Sequence, residues 1–249
     1  MTRRILDGIR RIGANRLGWL CSSLVLASWV TLVPRVDAAE TDTPERTSPR
    51  TWHATTLVSG RRGYRMIHYW SKGGNMRAET LIAGHPFTTI VRGDRYIAID
   101  GLRGVGIDVG RSALARAEDA KRLRPFANDF EELRRAGAEK VEDTRAAGVP
   151  AELWRTTSAE ERRSLWVSRK EPRVPIRFEI FLRGSAETIK TEYTNWHFDL
   201  EIPNRFFDTP QGIELERYDY EGFIAKSLEG PVGSVPVLYP DLLHGGPPP

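Results

Sequence analysis

Short runs in which apolar and polar residues alternate, separated by turn residues, extend over most of the chain from residue 51 to residue 218. Alternation with a period of two is typical of β-strands that bury one face. Many of the turns are rich in glycine, as in Lys72-Gly73-Gly74, and such short connections join antiparallel neighbours. The strands predicted in this way are residues 51–58, 64–71, 75–83, 87–92, 96–99, 140–145, 151–157, 163–169, 174–183, 186–198 and 213–218.

The pattern becomes helical between residues 112 and 135, a stretch rich in Ala, Leu, Glu and Arg. Apolar residues recur there every three or four positions, which places them on one face of a helix. Pro125 has no amide hydrogen for a helix interior, so two helical pieces are expected. A short helix is also predicted around residues 220–228. Many strands with few helices predict a mainly β, α+β fold, in which a curved antiparallel sheet forms an open half-barrel with helices on one side.

The two faces of the predicted sheet differ in polarity, most clearly in residues 174–183. Apolar residues occupy one face of this strand and mainly charged residues the other, as expected when helices cover one side of a sheet. An apolar face is ordinarily filled as core, so a binding surface is the second interpretation of the same pattern. The apolar set is Ile176, Phe178, Ile180 and Leu182.

The start of the chain has the order of a secretory signal. Residues 1–16 are basic, residues 17–33 carry no charge, and small residues follow at Ala38 and Ala39. We therefore expect a signal peptide over residues 1–38 and a mature protein in the periplasm. The alternative is an uncleaved membrane anchor, although the apolar run is short for one. The Arg3-Arg4 pair leaves the twin-arginine export route open.

The two ends of the mature chain lack periodicity. Residues 39–50 are polar with two prolines and predict a flexible lead-in. Residues 229–249 are rich in proline and glycine and predict a loose tail. A single domain is therefore expected over residues 51–228.

The formal charge of +4 would ordinarily suggest an acidic partner such as nucleic acid. Residues 1–38 contain six arginines and two aspartates, so they account for that charge in full. The predicted mature chain is formally neutral, and no nucleic-acid partner is expected. Cys21, the only cysteine, also lies in the predicted signal, so neither a disulfide nor a thiolate metal site is expected.

Reactive residues are not clustered along the sequence. The histidines show no metal-ligand spacing, and the nucleophile motif Gly-x-Ser-x-Gly is absent. The glycines of residues 101–106 predict a turn rather than a phosphate loop, and Glu160-Glu161 predicts a solvated turn rather than an acid–base pair. We therefore expect no enzymatic activity, no metal and no cofactor. The scattered histidines are His53, His68, His85, His197 and His244.

Three segments, taken in order, resemble the LolA-like superfamily of periplasmic lipoprotein carriers. Residues 69–79 contain a glycine turn followed by Met76-Arg77-Ala78-Glu79, similar to a hairpin of that family. Residues 165–179 are similar to its unit of strand, turn, Pro-x-Arg and strand. The best match is Asn195-Trp196 followed by Ile-Pro-Asn-Arg-Phe-Phe-Asp-Thr-Pro-Gln-Gly at residues 202–212. The resemblance covers about residues 51–218 of the chain.

The resemblance implies an open half-barrel whose helices act as a lid, with residues 112–135 as the gate. It also implies an inner face that accommodates acyl chains of lipids or lipoproteins. Arg77 would hold a lid loop or a ligand headgroup, or would only pair with a neighbouring carboxylate. The side chains expected to line the pocket are Met66, Trp70, Ile176, Phe178 and Ile180.

Two functions follow as hypotheses. The first is a periplasmic carrier or binding protein for lipids or lipoprotein acyl chains, in lipoprotein sorting or envelope maintenance. The alternative is an envelope sensor or accessory module of the same fold that acts through contacts with inner- or outer-membrane proteins. The carrier requires an apolar lining that the protein does not fill itself, whereas the accessory module predicts a filled interior and an exposed apolar patch elsewhere. A hydrolase acting on envelope polymers has no supporting motif.

Overall fold

The computed structural model describes residues 51–246 apart from residues 62, 120, 123, 125 and 234. The predicted signal peptide and lead-in lie outside these residues. Within them, no helix is long and apolar enough to cross a membrane. Twelve strands form one sheet: β1 (Thr51–Gly60), β2 (Gly63–Lys72), β3 (Asn75–Ile82), β4 (His85–Arg92), β5 (Arg95–Asp100), β6 (Val105–Gly110), β7 (Glu139–Ala146), β8 (Val149–Thr157), β9 (Glu161–Ser168), β10 (Pro175–Leu182), β11 (Glu187–Phe198) and β12 (Glu214–Tyr218).

The sheet consists of two antiparallel meanders joined in the middle. The strand order is β12-β6-β5-β4-β3-β2-β1-β11-β10-β9-β8-β7, with β12 and β7 at the edges. β1 pairs with β11 and thereby joins the meander β1–β6 to the meander β7–β11. Only β12, which pairs with β6, runs parallel to its neighbour. The structure therefore confirms the predicted mainly β, open α+β fold.

Helix α1 (Ala113–Asp119) packs against α4 (Pro240–His244). Helices α2 (Asp129–Arg135), α3 (Tyr220–Glu229) and α4 pack on one side of the sheet, here called the helix face. The predicted interruption of residues 112–135 is present, because α1 and α2 are separate helices. Asp219 caps α3, since its Oδ1 accepts a hydrogen bond of 2.7 Å from the amide of Gly222.

The C-terminal segment does not form the predicted loose tail. Val235, Leu242 and Leu243 are buried in the helix-face core with Trp52 and Met76. The segment is fixed at its end because Ser112 Oγ donates a 2.8 Å hydrogen bond to the carbonyl of His244. The prediction failed because an irregular segment can bury individual side chains without any periodic pattern. For residues 229–246 the tail is part of the domain.

The other side of the sheet, here called the opposite face, is covered over β2–β6 by residues 200–215. Within this segment a 3₁₀ helix, Asn204–Phe207, places Phe207 in a core with Ile90 and Ile99. Strand β6 was missed by the sequence analysis because its glycines indicated a turn. Gly106 is required there, since a Cβ atom at this position would lie 2.4 Å from the carbonyl oxygen of Ala98.

Candidate functional site

The helix face over β1–β6 is filled by the protein itself. Leu242 and Leu243 are at most 1% exposed and pack with Trp52, Met76 and Tyr96. Contacts of this kind contribute about 1.5–3 kcal/mol for each fully buried large apolar side chain. This half of the face is therefore ordinary core and presents no apolar lining to a ligand.

The half of the helix face formed by β9–β11 is covered less completely. Phe130 and Leu133 of α2 pack on Leu165 and Val167 of β9, and Phe178 of β10 packs against this cluster. Towards the β10–β11 turn, Ile180 lies directly opposite Ile189 across the two strands. These positions and Leu182 remain half-buried although they are large and apolar. We call this set the apolar strip: Phe178, Ile180, Leu182 and Ile189.

A group of polar and aromatic residues lies between α2 and the central strands, and we call it the polar seam: Arg124, Asp129, Tyr193 and Trp196. The Tyr193 hydroxyl donates a 2.5 Å hydrogen bond to Asp129 Oδ2. The guanidinium of Arg124 lies 5.7 Å from the ring centroid of Trp196, as in a cation–π contact. The polar seam therefore attaches α2 and the segment before it to β11 through directional contacts.

Burial dominates the electrostatics of the polar seam. It raises the pKa of the Asp129 carboxyl above its ordinary value, while the hydrogen bond from Tyr193 and the charge of Arg124 act in the opposite direction. Burial and then the charge of Asp129 raise the pKa of the Tyr193 hydroxyl. Burial lowers the pKa of Arg124. Each of these groups is thus more costly to charge than in water, and they stabilise one another only while α2 stays in place.

The five side chains predicted to line one pocket, and Arg77 predicted to act beside them, lie on different surfaces of the sheet. Phe178 and Ile180 belong to the apolar strip. Ile176 is buried in a separate cluster with Ala151 and Trp166, since the β9–β10 register shifts between Pro175 and Arg177. Met66, Trp70 and Arg77 lie on the opposite face. The prediction of a single common lining is therefore wrong.

Strand pairing is the reason for this division. Thr191 of β11 lies opposite Phe178 on one side and Val58 on the other, so Phe178 shares the face of Val58. Met66 lies opposite Leu57, the neighbour of Val58 on the other face of β1. A side chain in β2 shares the face of the apolar strip only in the alternate positions, such as Ile67.

Arg77 fixes the segment at residues 200–215 to the opposite face. Its Nη1 donates a 2.8 Å hydrogen bond to the carbonyl of Phe206, and its Nε donates one of 2.7 Å to Glu79 Oε1. Trp70 packs edge-on against the Phe206 ring at a centroid distance of 5.3 Å. Arg77 thus both holds a loop and pairs with a carboxylate. A shallow cleft of about 520 Å³ lies beside it, lined by Arg77, Pro203, Arg205, Phe206, Asp208, Thr209, Pro210 and Gln211.

Three histidines that are far apart in the sequence meet on the opposite face. The ring of His53 lies 5.8 Å from each of the rings of His68 and His197, in stacked orientations. Strand register brings them together, because His53 lies opposite His197 in β11 and Trp70 in β2. Within residues 51–246 as described, no group of three or more His, Cys, Asp or Glu side chains is placed to hold a metal ion. Sequence spacing could not reveal this row, since it depends on pairing between distant strands.

Comparison with known proteins relates the chain to others by fold only. No family model matches the sequence, and no curated protein is significantly similar to it. An uncharacterised conserved protein from Thermus thermophilus has a similar fold, with a TM-score of 0.51 and 12% identity over 70% of this chain and 94% of that one. At this identity the similarity extends to the fold alone.

More distant similarities include MucB of Pseudomonas aeruginosa in its complex with MucA, with a TM-score of 0.44 and 14% identity over 69% of this chain and 60% of that one. A putative outer membrane lipoprotein-sorting protein domain from Vibrio parahaemolyticus has a TM-score of 0.30 and 11% identity over 64% of this chain and 89% of that one.

Proposed function

We propose that this protein binds an acyl chain of a lipid or lipoprotein along the apolar strip, and that it acts as a periplasmic carrier or binding protein. The observation that carries the proposal is the half-burial of four large apolar side chains on the helix face, whereas Trp52, Met76 and Tyr96 on the other half of the same face are buried together with Leu242 and Leu243. Each methylene group of a ligand that this surface buries would contribute about 0.8 kcal/mol. An alkyl chain of ordinary length therefore supplies enough free energy for stable binding.

Helix α2 is the element that could enlarge the strip. It spans only seven residues and covers Leu165 and Val167 with two apolar side chains, Phe130 and Leu133. It is also attached by the hydrogen bond between Asp129 and Tyr193 and by the contacts of Phe130 with Trp154 and Arg173. If α2 moved away, the strip would extend from Ile180 along β9 and β10. This agrees with the gate role that the resemblance implies for residues 112–135.

The sequence supports the same proposal independently of the geometry. The signal-like residues 1–38 favour an exported protein, and the motifs at residues 69–79, 165–179 and 202–212 resemble those of lipoprotein carriers. The described residues contain no arrangement from which we would propose catalysis. We therefore propose a binding protein without enzymatic activity or cofactor.

The filled half of the helix face favours a second candidate, an accessory module that acts through protein contacts. Leu242 and Leu243 occupy the surface over β1–β6 where a fully open carrier would hold its ligand. Exposed apolar residues occur elsewhere, for example Met66 at 54% and Leu81 at 66% exposure. The two candidates differ in whether the apolar strip takes up a free acyl chain.

Uptake of a soluble acylated probe tests the first candidate. All described strands and helices lie within residues 51–246, so a chain of residues 39–249 contains the whole domain. We expect native mass spectrometry of this chain to show one bound fluorescent fatty acid or lipopeptide per protein. The double variant Ile180→Asn, Ile189→Asn should weaken this binding about tenfold or more, because it makes the centre of the strip polar.

Leu228→Asn is the matched control, since Leu228 is 82% exposed at the end of α3. It should bind the probe as the unaltered chain does, and urea unfolding should show that all three proteins are folded. Equal binding by the double variant would place the ligand elsewhere. A protein that takes up no acyl chain would contradict the carrier and leave the accessory module.

A further inference from the structure

One end of the sheet carries several neighbouring turns, and we call it the turn end. The β1–β2 turn is closed by the pair Gly60 and Gly63, and β10–β11 by the pair Leu182 and Glu187. The β3–β4 turn lies beside the β5–β6 turn, because the amide of Gly101 donates a 2.8 Å hydrogen bond to the carbonyl of Pro86. The β8–β9 turn is joined to the strand end of β10 in the same way.

Large apolar side chains are exposed at the turn end. Of the eight large apolar residues that are exposed in the described part of the chain, four lie here, with exposures of 54–81%. Three of them lie at the ends of β2 and β3 on the opposite face, and one is at the tip of the β5–β6 turn. They are Tyr64, Met66, Leu81 and Leu102.

Arginine predominates among the exposed charged side chains at this end. Among the exposed charged side chains in and beside the turns, five are arginines and two are glutamates: Arg61, Arg65, Arg103, Arg162 and Arg183 against Glu160 and Glu214. Two further glutamates are half-buried and already in contact with the protein. Glu161 forms an ion pair with Arg163, and Glu187 Oε1 accepts a 3.1 Å hydrogen bond from the amide of Arg61.

We propose that the turn end docks on the surface of an anionic lipid membrane. The aromatic and aliphatic side chains at the ends of β2 and β3 and on the β5–β6 turn can insert between lipid headgroups, while arginines contact the phosphates. Apolar side chains that project beside several arginines match a surface whose apolar interior lies beneath anionic headgroups. The net positive charge of this end complements an anionic surface.

The apolar strip lies close to the turn end, so docking would bring the proposed acyl-binding surface to the membrane; this step rests on the proposed function. Leu182 lies beside the β10–β11 turn, and Ile189 is two residues from Glu187, which closes it. The strip therefore reaches the turn end. An acyl chain leaving a membrane held there could pass directly onto the strip without crossing water.

Vesicle flotation with residues 39–249 tests the docking. We expect the protein to float with vesicles that contain phosphatidylglycerol, to float weakly with pure phosphatidylcholine, and to be released by salt. Two double variants, Met66→Ser with Leu81→Ser and Arg103→Glu with Arg183→Glu, should each lower the partition coefficient about tenfold. Matched controls are Leu228→Ser and Arg116→Glu, exposed positions on α3 and α1, which should leave it unchanged.

These measurements distinguish a loss of membrane docking from a loss of acyl-chain binding. The docking variants should still take up a soluble acylated probe, whereas Ile180→Asn with Ile189→Asn should lose the probe and still float. Absence of flotation with anionic vesicles, or flotation that the docking variants and the controls lower equally, would overturn the docking proposal. A protein that floats normally but takes up no probe would contradict the proposed function and leave the docking in place.

Discussion

The hydroxyl of Tyr193 lies 2.5 Å from a carboxyl oxygen of Asp129, and this hydrogen bond joins the central strand β11 to α2. The carboxyl is buried, which raises its pKa, so its charged form depends on the groups that contact it. Tyr193 is the side chain that donates to it. The contact therefore helps to hold α2 over β9 and β10, together with the packing of Phe130 and Leu133 on β9.

Tyr193→Phe removes this donor and leaves a buried carboxylate without its hydrogen bond. We expect the free energy of unfolding at neutral pH to fall by about 1–3 kcal/mol, measured by urea titration. Because burial raises the pKa of Asp129, the loss should become smaller as the pH falls and the carboxyl takes up a proton. Tyr64→Phe, at a side chain that is 81% exposed, is the control and should change little. An equal loss at all pH values would show that the charge of Asp129 is not involved.

Leu243→Ala tests the packing of the C-terminal segment. Leu243 is fully buried, so removal of its side chain should lower the free energy of unfolding by about 2–5 kcal/mol. Leu228→Ala should have an effect within about 0.5 kcal/mol, since Leu228 is exposed. Guanidinium unfolding of both variants gives the comparison. A loose tail would instead give the two variants equal stability.

Phe178→Leu separates binding from folding at the apolar strip. Phe178 is half-buried beside α2, and a leucine keeps the site apolar, so the loss of stability should be below about 1.5 kcal/mol. Isothermal titration with an acylated probe should nevertheless show weaker binding. Phe178→Asp is the unsuitable choice, because it places a charge against the α2 cluster and destabilises the fold whatever the function. Unchanged affinity in Phe178→Leu would remove Phe178 from the ligand site.

The histidine row predicts a loss of stability in acid. Burial, together with the neighbouring His68 and His197, lowers the pKa of His53 below 6.5 in the folded protein. Unfolding returns the imidazole to its ordinary pKa, so the unfolded state binds the proton more tightly. His53 therefore does not lower the free energy of unfolding above about pH 6.5, and this free energy falls as the pH drops below that value.

His53→Gln should reduce this dependence, as measured by urea titrations between neutral and mildly acidic pH. The groups that face His53 are His68, His197 and Trp70, with Glu79 next to His68 across β2 and β3. Burial also lowers the pKa of His244, so part of the acid sensitivity should remain in the variant. Parallel stability curves for the variant and the unaltered chain would contradict a role for His53.

Local pattern predicted most of the fold, because hairpins are formed by residues that are near one another in the sequence. The turn at Gly73-Gly74 and the helix interruption near Pro125 both follow from residues that are adjacent in the sequence. The site was predicted only in part. Phe178 and Ile180 lie together because they alternate within one strand, whereas Met66 lies on the other face, since its position depends on the pairing of β1 with β11.

The pairing of β1 with β11 also determines how the chain can be assembled. Each meander can form from neighbouring hairpins, yet the junction between them pairs residues as far apart as Thr55 and Thr194, which are 139 positions apart in the sequence. Closing so large a loop costs more conformational entropy than closing a short hairpin. We therefore expect the two meanders to form first and their junction last. During synthesis, β1 therefore has an unpaired edge until residues 187–198 emerge. Strand β1 can pair with β11 only after almost the whole domain has been synthesised. Any factor that shields the edge of β1 until then would protect the protein from misassembly.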